Sequence, residues 1–172
     1  MRTLKKHLSI NSGKVLDVGC GEGIVARSIF FDRPNIKLTG VDISEEAIKI
    51  FKKLNPGAQA YTASADNLKL FASNKFDLVM CCEVLEHLED FEKALAELKR
   101  VSKKYILISI PHQPWFSLMN LARGKNLRNF GDDPDHINKW SKRKFLNILK
   151  QNCFTKAKIV KCLPWLIVSG TI

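Results

Sequence analysis

The sequence has no apolar run approaching the ~20 residues that a bilayer-spanning helix needs. It has no internal repeat and no low-complexity segment. It has no C-x-x-C pair. Its five cysteines, Cys20, Cys81, Cys82, Cys153 and Cys162, are odd in number and mostly flanked by apolar residues. That predicts buried, reduced thiols in a cytoplasmic protein rather than a disulfide frame or a zinc site. Met1–Ile10 carries Arg2, Lys5 and Lys6 but no continuous apolar stretch, so no signal peptide is predicted. Acid is scarce in one part of the chain only. Residues 1–98 hold 13 Lys/Arg against 14 Asp/Glu, whereas residues 99–172 hold 15 against 3. The whole net charge of +11 therefore lies in the C-terminal part. Such asymmetry fits an acidic or phosphate-bearing partner, or simply a solvated lysine-rich surface.

What is present is an alternation of strand and helix patterns over a 172-residue chain, the size of one domain with one sizeable core. Strands are predicted at 14–18, 36–41, 58–62, 76–82 and 105–110. Helices are predicted at 24–31, from Ser44 to Leu54, and from Phe91 to about Val101. Asn55-Pro56-Gly57 stops the second helix. A further helix follows Ser141, and two last strands fall at 158–163 and 165–170 on either side of Pro164. This order predicts an α/β fold: a doubly wound, mostly parallel seven-stranded sheet with helices on both faces. Residues 111–139, with three prolines, two glycines and apolar Trp115, Phe116, Leu118, Met119 and Leu121, are too long for a simple connection. They predict a functional insertion or lid within a single domain spanning 1–172.

The densest signal is V-L-D-V-G-C-G-E-G, residues 15–23. A strand ends, glycines turn the chain and a helix begins, which is how a doubly wound fold lays a ligand against its main chain. A dinucleotide site would use G-x-G-x-x-G and seat a pyrophosphate on the helix terminus. Here the spacing is G-x-G-x-G, with Asp17 before the loop and Glu22 within it. Two carboxylates repel a pyrophosphate and suit a ligand bearing an ammonium and a sulfonium. Asp42 ends the second strand, where an acid can accept both hydroxyls of a ribose. Ile43 beside it offers an apolar face to an adenine. Asp66 follows the third strand, within reach of an adenine amino group.

These segments, V-L-D-V-G-C-G-E-G, V-D-I-S, A-D-N-L and F-D-L-V-M-C-C-E-V-L-E-H-L, resemble the successive motifs of class I S-adenosylmethionine-dependent methyltransferases, in the broad group called methyltransferase type 11. The resemblance covers about residues 14–110. It implies a Rossmann-like fold with an antiparallel last strand. It implies Asp17, Gly19 and Gly21 at the methionine moiety, Asp42 on the ribose, Asp66 and Asn67 near the adenine, and Glu83 with its neighbours on the floor below the methyl group. Members usually have more chain before the first strand. Here 13 residues precede it, so either the 111–139 segment or a partner is expected to close the pocket, or the site stays open.

For the acceptor side the sequence offers His87, His112 and His136 as candidate catalytic groups, each near the expected catalytic edge. Glu83, Glu86 and His87 form E-x-x-E-H, which would share one face if helical. That segment is similar to the divalent-metal site of small-RNA 2′-O-methyltransferases and ubiquinone-pathway O-methyltransferases, with His136 loosely resembling the later histidine of the RNA enzymes. The same segment also occurs in the group without metal, and the metal-free reading is favoured. The expected activity is O- or N-methylation of a small molecule, a lipid or a glycan intermediate. RNA methylation and a non-catalytic cofactor-binding module or partner subunit are the alternatives. The cations at Arg123, Lys125, Arg128, Lys139, Lys142, Arg143 and Lys144, beside Trp115, Phe116 and Met119, would suit a nucleic acid or a membrane surface as partner.

Overall fold

The computed structural model describes residues 10–152, 154, 158–162 and 164–171. Seven strands form a single sheet: β1 (Gly13–Val18), β2 (Ile36–Asp42), β3 (Gln59–Thr62), β4 (Phe76–Cys82), β5 (Ser102–Pro111), β6 (Lys158–Cys162) and β7 (Trp165–Thr171). Their order is β3-β2-β1-β4-β5-β7-β6. The first five run parallel, and β7 is antiparallel to both β5 and β6. The doubly wound fold expected from the sequence is what forms.

Five α-helices flank the strands: α1 (Ile24–Phe30), α2 (Glu45–Leu54), α3 (Phe91–Val101), α4 (Trp115–Ala122) and α5 (Lys142–Gln151). Three start on side-chain caps that leave little choice of register. Ser44 accepts from the Ala47 N–H, Asp90 from Lys93 and Ser141 from Lys144. Each cap satisfies an amide that the first helical turn leaves orphaned. The central strands are apolar over most of their length because helices cover both sheet faces. On one face Leu16, Val79, Leu95, Leu98, Ile106 and Phe145 pack together; on the other, Val15, Ala26, Ile29, Met80 and Leu107 do.

The sequence placed the fifth strand at 105–110 with Pro111 as its stop. The strand instead runs from Ser102 to Pro111, where Pro111 pairs with Trp165 of β7. A proline carbonyl can still accept, so the missing N–H ends the ladder without excluding the residue. The 111–139 segment is not structureless. It carries α4 and a 3₁₀ turn, Leu127–Asn129. Its last part is tied to the turn after β4: the Asn138 amide donates to the Glu86 carbonyl at 2.9 Å, and its side chain to the Leu88 carbonyl at 2.6 Å. Cys20 and Cys81 are buried and Cys82 is half-buried. Cys153 and the Cys162 side chain lie outside the described residues.

Candidate active site

The chain winds one way from β1 through β2 to β3 and the other way from β4 to β5, so the loops leaving β1 and β4 diverge and open a crevice at the sheet's carboxyl edge. Every sequence-predicted cofactor residue except Glu83 lies at the end of β1 or β2 or just after β1, β2 or β3, and Glu83 follows β4.

The turn after β1 is built from left-handed glycines. Gly19 has φ 68° and Gly21 φ 50°. A Cβ on Gly19 would stand 2.1 Å from Val84 Cγ2, so glycine is required there both by conformation and by the closeness of the β4 turn. Above Gly21 the space is open. The amides of Gly19 and Cys20 both donate to the Val41 carbonyl, which locks the loop to the end of β2. The Gly21 amide donates to the Asp42 carboxylate at 2.8 Å, and the Ser44 amide donates to its other oxygen at 2.9 Å. Ile43, beside Asp42, is 75% exposed. An isoleucine left in water at a sheet edge is a ready platform for a flat apolar ring.

Asp17 sits inside the crevice wall, 2% exposed. Its Oδ2 has no hydrogen-bond partner among the described residues. Burial and then the neighbouring Asp42 push its carboxyl up to about 7. A buried carboxylate with an unsatisfied oxygen is costly unless a cation completes it. The donor set therefore fits the ammonium and sulfonium of S-adenosylmethionine. Glu22 is exposed and stands apart from this wall. Asp66 is held below the usual carboxylate range, first by the Ser64 hydroxyl and then by Lys93, whose ammonium lies 3.4 Å away. Asn67 is exposed. The loop carrying both is clamped from α3: the Glu97 carboxylate accepts the Leu68 amide at 2.7 Å, and Arg100 donates to the Phe71 and Leu68 carbonyls at 2.8 and 3.0 Å.

The E-x-x-E-H segment does not form one helical face. Only Leu85–His87 is helical, a single 3₁₀ turn. Glu83 precedes it with φ 57°, a conformation costing a non-glycine residue about 1–2 kcal/mol. The left-handed residue turns the chain, and the two glutamates part. Glu83 is held by the Ser109 hydroxyl at 2.7 Å, and its own amide donates to the Ser109 carbonyl at 3.0 Å. Burial raises its carboxyl, while Ser109, Trp165 and then His87 counter that rise.

Glu86 joins His87 and His136 instead. One potential ligand atom from each lies within 4.8 Å of the others. Glu86 is 1% exposed, and neither of its carboxylate oxygens has a hydrogen-bond partner among the described residues. Burial and then Glu83 push it up to about 8. The two imidazoles meet edge to face with centroids 5.0 Å apart. His87 Nδ1 is 2.9 Å from the Asp135 carbonyl. His136 is buried against Phe116, and burial lowers its pKa below the ordinary histidine value. His112, the third candidate, stands outside this cluster at the end of β5, its amide donating to the Pro164 carbonyl. Sequence reasoning missed Ser109, Asn138 and Trp165 as supports of these acids. All three act across long sequence separations that no local spacing reveals.

The model of the methyltransferase domain family matches residues 16–107. A ubiquinone biosynthesis O-methyltransferase of Chromobacterium violaceum is 33% identical over 96 residues, covering 54% of this chain and 40% of that protein. A demethylmenaquinone methyltransferase of Thermotoga maritima is 30% identical over 103 residues, 60% of this chain and 44% of that one. The chain thus matches less than half the length of these curated relatives. Among solved structures, an S-adenosylmethionine-dependent methyltransferase from Thermotoga maritima superposes with a TM-score of 0.78 at 21% identity, over 99% of this chain and 86% of that one. One from Aquifex aeolicus gives 0.77 at 20%, over 99% and 88%. These two show the fold. The family match spans more than half of the chain, over the strands and loops that build the crevice, and the chain belongs to the methyltransferase domain family, the class I S-adenosylmethionine-dependent methyltransferases.

Proposed function

We propose that this chain carries out S-adenosylmethionine-dependent O-methylation of a small molecule, with Glu86, His87 and His136 managing the acceptor oxygen. The observation that carries the reading is Glu86: a carboxylate with two unpartnered, buried oxygens beside two imidazoles, on the loop after β4 at the crevice. Two curated relatives named for quinone-pathway methylation, one of them an O-methyltransferase, support a small-molecule acceptor.

When bound, S-adenosylmethionine supplies an activated methyl group on a sulfonium. Asp17 would take its ammonium, Asp42 its ribose hydroxyls and Ile43 one face of its adenine, with Asp66 and Asn67 at the adenine edge. Glu83, fixed by Ser109 and Trp165, would floor the methyl position. The acceptor hydroxyl must then be oriented in line with the methyl group and lose its proton. His136, kept neutral by burial, and Glu86, raised by burial, are the groups able to accept it.

One carboxylate and two imidazoles are also a fitting donor set for a divalent cation, and the orphaned Glu86 oxygens favour that version. Glu86, His87 and His136 would hold the ion, which would draw in the acceptor oxygens and lower their pKa.

Transfer of labelled methyl from S-adenosylmethionine to phenol and catechol acceptors tests the reading. Product formation lost in His136→Ala and Glu86→Gln supports it. Loss on chelation, with recovery on adding magnesium, manganese or zinc, selects the metal version. Labelling of RNA and not of the phenols would refute the small-molecule assignment. Cofactor binding with no transfer to any acceptor fraction would indicate a binding module.

A further inference from the structure

The α4 helix leaves one apolar side uncovered. At about 100° per residue, Trp115, Leu118, Met119 and Ala122 share one side and Phe116, Ser117, Asn120 and Leu121 the other. The polar pair faces inward and is consumed there. The Ser117 hydroxyl donates to Gln113 Oε1 at 2.6 Å and also contacts Asp132, while the Asn120 amide holds the Gly131 carbonyl at 2.9 Å. Phe116 packs on His136. None of the eight helix residues is buried, and Trp115 and Leu118 are 47% and 55% exposed.

The loop that Asn120 ties back to the helix adds Leu127 at 63% exposure and Phe130 at 83%. Ordinary surface helices hide such residues and show water their polar side. Between His112 and Gly131 there are three exposed cations, Arg123, Lys125 and Arg128, and no Asp or Glu. Among the described residues no acid forms an ion pair with any of the three.

We propose that the α4 face, with the loop through Phe130, docks the protein on an anionic lipid surface. The outward side chains are aromatic and aliphatic together, which suits the headgroup–acyl boundary. Leu118, Ala122 and Leu127 cannot stack on bases, which speaks against single-stranded RNA as the occupant. The three cations beside them complement a negative leaflet. The inward face of the same helix touches His136, so docking would bring the crevice side of the molecule to the membrane without using any cofactor residue.

The test is vesicle co-sedimentation of the intact chain, with phosphatidylcholine vesicles containing or lacking phosphatidylglycerol. Binding is expected only to the anionic vesicles and should be released by high salt. Removing each cation of Arg123, Lys125 and Arg128 should weaken binding roughly fivefold, the scale for a basic side chain near an anionic surface. The double variant Leu118→Ser with Phe130→Ser should lose binding while keeping the wild-type affinity for S-adenosylhomocysteine, which shows that it is folded. No binding to anionic vesicles at low salt overturns the proposal. So does equal binding by the double variant. If sedimentation velocity shows a dimer that the double variant splits, and vesicles are ignored, the face belongs to a second copy and the proposal fails.

Discussion

The Gly21 amide donates to the Asp42 carboxylate at 2.8 Å, so the acid at the end of β2 holds the glycine turn at the end of β1. Asp42 therefore serves two purposes in the proposed site: it shapes the loop and it remains an acceptor for a ribose. Asp42→Ala should weaken S-adenosylhomocysteine binding by roughly 1.5–3 kcal/mol, the scale of hydrogen bonds to a charged group. Calorimetry checks it. Unchanged affinity would remove Asp42 from the cofactor site.

Gly19 and Gly21 should respond differently to the same substitution. Gly19→Ala drives a Cβ to 2.1 Å from Val84 Cγ2 and should destabilise the fold strongly. Val84→Ala in the same chain should recover the steric part, leaving the backbone cost of about 1–2 kcal/mol. Gly21→Ala meets open space, so it should lose only the backbone part of stability and yet lose cofactor affinity. Chemical denaturation and calorimetry on the four proteins separate these contributions.

Two buried acids should set the pH dependence of the free protein. Burial raises Asp17 to about 7 and Glu86 to about 8. A carboxyl raised on folding contributes stability below its unfolded pKa, and that contribution is lost as pH rises through the folded value. Without ligand the protein should therefore melt lower at about pH 8.5 than at about pH 5, in the opposite sense to a salt-bridged acid. Asp17→Asn with Glu86→Gln should flatten that slope in thermal scans. Cofactor binding should itself tighten between about pH 6 and pH 8, since the ionised Asp17 is the form that receives an ammonium.

The histidines should divide. His136→Ala is expected to lower turnover roughly 100-fold or more, the scale of a positioned acid–base group, with little change in cofactor affinity. His112→Ala should cost far less, because His112 stands outside the cluster of Glu86, His87 and His136. Equal losses in both would place the acceptor chemistry elsewhere in the crevice. The readout is kcat and KM for each variant with a phenol acceptor that the unsubstituted protein methylates.

Much of the proposed cofactor side was written locally. A glycine turn after a strand and acids at three successive strand ends are legible because parallel strands deliver their carboxyl ends to one edge whatever the details of packing. Strand and helix positions followed from apolar periodicity and caps such as Ser44, Asp90 and Ser141. The end of β5 was misjudged because proline removes a donor and not an acceptor.

The sequence by itself determined the sheet, the glycine loop and the acids around it, since each depends on neighbours a few residues away. Tertiary structure decided the proposed acceptor side. Glu86 meets His136 across 50 positions because Asn138 fastens the 111–139 segment to the turn after β4. The left-handed Glu83 breaks what reads as one helical motif and sends its two glutamates to different partners. The direction in which α4 faces was decided there too. Its spacing gives one wholly apolar side and one mixed side, but only the loop carrying Gly131 and Asp132, which claims Ser117 and Asn120, turns the apolar side outward.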